Sequence, residues 1–228
     1  MTNLVLNLRK NEDLLPLQVP VRDLVMAGWT GRDRAAVEAH IKELADLGVA
    51  PPKRTPIFYR VSASLLTPEK SVQVIGSDST GEVEFVLFQD SQRLLVGLGS
   101  DHTDRKAETI GVTLSKQMCP KPVAAEVWEF SSVEPHWDEL MLRSYVVADG
   151  QRTIYQQGSV ATMRHPRDLL KRYDGAPVFS PGTVMFCGTL PVIGGFRWAE
   201  EFAMVLEDPV LKRRITHSYA IHALRVEG

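Results

Sequence analysis

The chain has 228 residues, 44% hydrophobic and 24% charged, which is enough apolar material for one large core, with or without a small appendage. A net charge of −2 leaves no basic footprint for nucleic acid or for an anionic membrane surface. No apolar run approaches the roughly 20 residues of a membrane span, and Met1 to Lys10 alternates polar and apolar residues where a signal peptide would have an apolar core. A soluble, cytoplasmic protein is therefore expected.

Residues 1–27 alternate weakly and contain Pro16 and Pro20, which suits an edge strand or hairpin followed by a loop. Thr30 to Leu47 reads as the longest helix: Thr30 with Asp33 makes a start like a capping box, Val37, Ile41, Leu44 and Ala45 form an apolar stripe, and Gly48 ends it. Pro51, Pro52 and Pro56 stiffen the loop before a strand near Ile57 to Ala63. Strands are then expected at Val72 to Ile75, Val83 to Phe88, Arg93 to Leu98 and Thr109 to Leu114, separated by Gly, Asp and Ser turns. Trp128 to Tyr155 reads as two strands around the hairpin signal Asp149-Gly150. A short helix from Pro166 to Tyr173 has proline at its first position and Gly175 past its end. The last strands are Thr183 to Cys187, Glu201 to Glu207 and Arg214 to Leu224. The fold class is α+β and β-rich, without repeats.

In the run Glu82 to Phe88, Glu82 and Glu84 are two residues apart, so a strand sets both carboxylates side by side on one face. Their mutual repulsion, and the cost of burying them, call for a cation. Asp101, at the end of the next strand, makes a third carboxylate or a turn cap. Three carboxylates form a hard oxygen site suited to Mg2+, Mn2+ or Ca2+, although Glu-x-Glu also occurs on solvated strand faces. His40 and Glu43, three apart, are neighbours on the helix surface; such a pair makes either a general base held by a carboxylate or an ordinary solvated contact. Cys119 and Cys187, far apart and without Cys-x-x-Cys, read as reduced packing residues.

Taken in order, these fragments resemble the fumarylacetoacetate hydrolase family from about Gly28 to the C-terminus. His40 to Glu43 is similar to its His-x-x-Glu helix, Pro56 to Arg60 to its Lys-bearing strand, and Gly81 to Glu84 to its metal strand. Asp101 to Arg105 resembles its Asp-x-x-x-Arg, and Lys116, shortly before Cys119-Pro120, falls where its active-site lysine does. Gln156 to Met163 resembles its Gln-x-Gly-x-x-x-x-Met, and Pro181 to Thr189 its Pro-Gly-Asp-x-Ile-x-x-Gly-Thr. The chain departs from the pattern at Arg60 (in place of Lys), at Val160 (in place of Thr), at Leu190 (inserted before Pro191) and in a shortened Glu84 to Asp101 segment, changes that mark a divergent branch with altered substrate contacts.

The resemblance implies a mixed, rolled β-sheet with few helices, a catalytic domain over residues 28–228 behind an extension over 1–27, and a homodimer. It also implies an enzyme of keto-acid or aromatic catabolism that acts on a small keto acid with Mg2+ or Mn2+ held by Glu82, Glu84 and Asp101. His40 and Glu43 would activate water, Lys116 would neutralise oxyanion charge, and Arg60, Arg105, Gln156 and Thr189 would position substrate. Hydrolysis of a carbon–carbon bond in a 1,3-dicarbonyl or acylpyruvate-type acid is expected. Decarboxylation or isomerisation on the same metal site, or ligand binding without turnover, is the alternative.

Overall fold

A computed structural model of the chain describes residues 2–46, 50–176 and 178–227; the side chains of His40 and Leu44, and Gly48 with them, lie outside the described residues. The first strands are β1 (Thr2–Lys10), β2 (Asp13–Val21) and β3 (Asp23–Gly28), followed by helix α1 (Arg34–Asp46). Then come β4 (Ile57–Val61), β5 (Leu66–Thr67), β6 (Ser71–Ile75), β7 (Ser79–Thr80), β8 (Val83–Gln89), β9 (Leu94–Ser100) and β10 (Thr103–Asp104). Two short helices, α2 (Arg105–Glu108) and α3 (Val112–Met118), lead into β11 (Lys121–Glu129) and α4 (Phe130–Val133). The chain ends with β12 (Met141–Ala148), β13 (Gln151–Ser159), α5 (Pro166–Asp174), β14 (Thr183–Thr189), β15 (Glu201–Asp208) and β16 (Arg213–Leu224). Among the described residues no helix is long and apolar enough to cross a membrane.

A curled nine-stranded sheet runs β2-β1-β11-β9-β8-β14-β3-β4, with β5 attached to β11. A five-stranded sheet, β13-β12-β15-β16-β6, packs on one face of it. The β1–β2 hairpin continues the large sheet through a parallel pairing of β1 with β11. Strand β8 lies at the centre and is buried along its whole length, because both faces are covered. Val83, Phe85 and Leu87 enter the core between the sheets, whereas Val86 and Phe88 enter a second core inside the curl, with Leu6, Val123 and Phe186. This alternation sets Glu84 on the inner face of the curl. Gly99 on β9 admits that crowded interior: a Cβ there would lie 2.6 Å from Phe186 and 2.8 Å from Val86.

Several expected elements form differently: Asp23–Gly28, read as part of a loop, is β3, and residues 130–139, read within a strand, form α4 and a 3-10 helix. Thr109 to Leu114, read as a strand for its β-branched residues, instead spans the bend between α2 and the start of α3; Asp104 caps α2 by accepting from Ala107 N at 2.7 Å. The first helix starts at Arg34, not Thr30, because Asp33 Oδ1 accepts from Ala35 N (2.9 Å) and Ala36 N (3.2 Å) as the cap. Thr30 is buried and donates its hydroxyl to Cys187 O at 2.8 Å.

Candidate metal centre

Glu82, just ahead of β8, Glu84 on β8 and Asp101, just past β9, converge at one end of the inner face, each offering an oxygen within 4.8 Å of the others. Neighbouring strands hold them there: Asp101 N donates to Glu82 O at 3.0 Å, and Glu82 N donates to Ser100 Oγ at 3.2 Å. Ser100 Oγ in turn accepts from Tyr219 OH (2.8 Å), and His102 bridges Tyr219 OH and Ser79 Oγ, each at 2.9 Å. Burial, then Lys121 and Arg105, push the His102 imidazole down to about 3, so its ring is a neutral brace.

Three cations flank the carboxylates. Arg105 pairs with Glu82 at 3.0 Å and with Glu108 at 3.1 Å, donates Nε–H to Thr80 Oγ1 at 2.7 Å, and lies over the Phe196 ring at 4.2 Å. Lys116, buried on α3, pairs with Asp101 Oδ2 and lies 3.9 Å from Glu82. Lys121, fully buried at the start of β11, lies 3.0 Å from Asp101 Oδ1 and donates to His102 O. Burial alone would raise the Asp101 carboxyl, but Lys116 and Lys121 outweigh it and hold it down at about 2. Burial would lower Lys116, yet Asp101 and Glu82 keep it raised and charged. Arg60 faces elsewhere: on β4 it is exposed and pairs with Asp23 and with Tyr173 OH (3.0 Å). Alternation along β4 turns Tyr59 inward in its place.

Glu84 has no cation within ion-pair distance among the described residues. Burial, then Asp101 and Glu82, push its carboxyl well above the usual carboxylate range, and Lys116, then the Gly188 N–H that donates to Oε2 at 2.7 Å, offset this only in part. Gly188 has φ +100, and a Cβ there would lie 1.8 Å from Thr30 Oγ1, so this donor position requires glycine. Gln156 is buried with all four hydrogen-bonding positions filled: Nε2 donates to Thr189 Oγ1 (2.7 Å) and Leu190 O (2.6 Å), and Oε1 accepts from Val83 N and Ser144 Oγ, both at 2.9 Å. It reaches the site through Thr189, whose hydroxyl donates to Val83 O at 2.8 Å.

The structure thus gathers Glu82, Glu84, Asp101, Lys116 and Arg105, sets Gln156 and Thr189 behind β8, and turns Arg60 away. Glu43 is exposed on α1, and the His40 side chain lies outside the described residues. Nothing in the sequence marks Lys121, Tyr59 or Tyr219 by motif, and the pairing of Ser100 with His102 lacks a triad context there. Lys121 had a signal of the same kind as Glu82, a charge opening an apolar strand. The donor set fits a divalent cation: three hard oxygen donors at the ends of two adjacent strands, one of them a buried carboxylate without a paired cation among the described residues.

Residues 27–219 match the family described as "Protein of unknown function (DUF2848)". No curated protein matches the sequence. Among solved structures, the chain is similar to Cg1458 (12% identity, TM-score 0.66, covering 93% of this chain and 81% of that one). It is similar to 2-keto-3-deoxy-D-arabinonate dehydratase complexed with magnesium and 2,5-dioxopentanoate (14%, TM-score 0.63, 95% and 79%). It is also similar to 4-oxalocrotonate decarboxylase from Pseudomonas putida G7 complexed with magnesium and adipate (12%, TM-score 0.55, 86% and 76%). At these identities the likeness concerns the fold alone, a β-rich mixed architecture with few helices, as the resemblance implied.

Proposed function

The chain belongs to the DUF2848 family, and we propose that it is a divalent-metal-dependent enzyme that breaks a bond beside the ketone of a small keto acid. The observation that carries this reading is the convergence of Glu82, Glu84 and Asp101 within 4.8 Å, with Lys116 against two of them. These three carboxylates would hold Mg2+ or Mn2+, which supplies Lewis acidity toward substrate oxygens and stabilises enolate charge. Lys116 neutralises oxyanion charge, and Arg105, fixed between Glu82 and Glu108, holds the Glu82 carboxylate in place. Thr189, next to Gly188, is held by Gln156 and Val83 O. The magnesium complexes of the dehydratase and the decarboxylase on this fold support the metal and the keto-acid class.

Hydrolysis of a carbon–carbon bond is the form of the reaction that His40 and Glu43 favour, with His40 taking a proton from the attacking water and Glu43 orienting the ring. Decarboxylation is the second reading, supported by the decarboxylase among the structural neighbours, and it requires no water-activating base. The test is a panel of acylpyruvates and oxaloacetate with Mg2+ or Mn2+. Turnover is expected in the wild type and not in the double variant Glu82→Ala, Glu84→Ala, whereas His40→Ala abolishes hydrolysis and leaves metal affinity nearly unchanged. Decarboxylation unaffected by His40→Ala moves the assignment to the second reading. Unaltered divalent-ion binding by the double variant, measured by calorimetry, refutes the metal site.

A further inference from the structure

Lys121 is a whole lysine side chain with no solvent exposure, placed where an apolar strand begins, and its ammonium has two partners, Asp101 Oδ1 and the His102 carbonyl. Lys116 takes the other Asp101 oxygen. Both oxygens of one proposed metal ligand are therefore engaged by cations before any ion arrives. Glu82 is paired as well, with Arg105 at 3.0 Å and Lys116 at 3.9 Å, so Glu84 alone of the three carboxylates lacks a paired cation among the described residues. Affinity for a hard divalent ion follows the uncompensated charge of the ligand set, and a fixed ammonium in a buried site opposes a second cation strongly.

We propose that Lys121 is a positioning residue that lowers the affinity of this site for a divalent ion on its own, so that the ion binds firmly only together with an anionic keto-acid ligand. The proposal rests on the metal reading above. Lys121 holds Asp101 in place and compensates its charge; an ion entering alone adds two positive charges beside Lys116, Lys121 and Arg105. A ligand carboxylate would restore the charge balance that Lys116, Lys121 and Arg105 set around the three carboxylates. The chain would thereby select doubly charged small acids that chelate through adjacent oxygens over neutral ketones.

The experiment is calorimetric titration of Mn2+ into the full-length chain, with and without oxalate as a chelating dianion, for the wild type, Lys121→Met and Lys121→Gln. The glutamine variant retains a donor for the His102 carbonyl if the methionine variant does not fold. The wild type is expected to bind Mn2+ at least about tenfold more tightly with oxalate than without, and either neutral variant to bind Mn2+ alone about tenfold more tightly than the wild type. The enhancement by oxalate should shrink in the variants. A lysine that serves only the fold would leave Mn2+ affinity unchanged or weaken it, and either result overturns the proposal, as does a wild type insensitive to oxalate. If Mn2+ binds the double variant Glu82→Ala, Glu84→Ala as it binds the wild type, the metal reading fails and takes this proposal with it. If that variant loses Mn2+ while the Lys121 variants show no gain, the role of Lys121 fails alone.

Discussion

Gln156 has two donor and two acceptor positions, and all four meet protein atoms from three strands and the Leu190 loop. A glutamine used in this way joins the small sheet to the Glu84 strand instead of reaching for a ligand. Gln156→Leu keeps most of the volume but leaves the Val83 N–H and the Ser144 hydroxyl without their buried acceptor. A stability loss on the order of 2 to 4 kcal/mol in urea unfolding is expected, together with weaker divalent-ion binding as β8 shifts. A loss below about 0.5 kcal/mol would show that these groups find other partners. At this scale the cluster of carboxylates was legible in the sequence because charges interrupting an apolar strand need a reason to be buried. Tyr59 was not legible: a one-residue difference along β4 decides whether it or Arg60 faces inward, and motif spacing alone pointed to Arg60.

Helix α5 shows how an element's ends decide its pH dependence. His165 is its N-cap, accepting through Nδ1 from Arg167 N at 3.2 Å, and Pro166 and Gly175 bound it as the sequence indicated. Burial beside Phe130 and Trp137 lowers the His165 imidazole below its ordinary 6.5, with Arg32 and Arg167 adding to the effect and Glu134 and Asp138 opposing it. The unfolded chain therefore binds a proton at this position at a pH where the folded chain does not. The contribution of His165 is complete above pH 6.5 and is lost as pH falls from there toward the lower folded value. His165→Asn keeps a capping acceptor without a titrating ring. The stability difference, wild type minus variant, should fall between pH 8 and pH 5 in urea unfolding, and a difference independent of pH would contradict a neutral capping imidazole. The misread element, Thr109 to Leu114, shows the opposite case. Its β-branched residues gave a strand by propensity, yet Ile110 and Leu114 are exposed, and a helix is what directs Lys116 inward from α3 while Asp104 starts the preceding turn. Propensity is a weak prior that tertiary contacts override.

Across the molecule, the sequence showed where most strands lie but not how they pair, because the decisive pairings join distant segments, such as β1 with β11 and β3 with β14. Those pairings create the curl whose inner face ends at the three carboxylates, so the site is a product of the whole sheet. Its brace crosses to the second sheet through Tyr219 on β16 and Gln156 on β13. An ion that binds only the assembled arrangement must stabilise the entire fold by mass action. At a free Mn2+ concentration 100 times the dissociation constant, the wild type should gain about 2.7 kcal/mol against unfolding. The gain should be absent in the double variant Glu82→Ala, Glu84→Ala, because the unfolded chain and the altered sheet both lack the converged oxygens. Thermal unfolding followed by circular dichroism at rising Mn2+ tests this directly. A wild-type midpoint that stays constant while calorimetry still detects binding would mean that the ion binds the unfolded chain equally well, and that the carboxylates are not gathered by the fold as described.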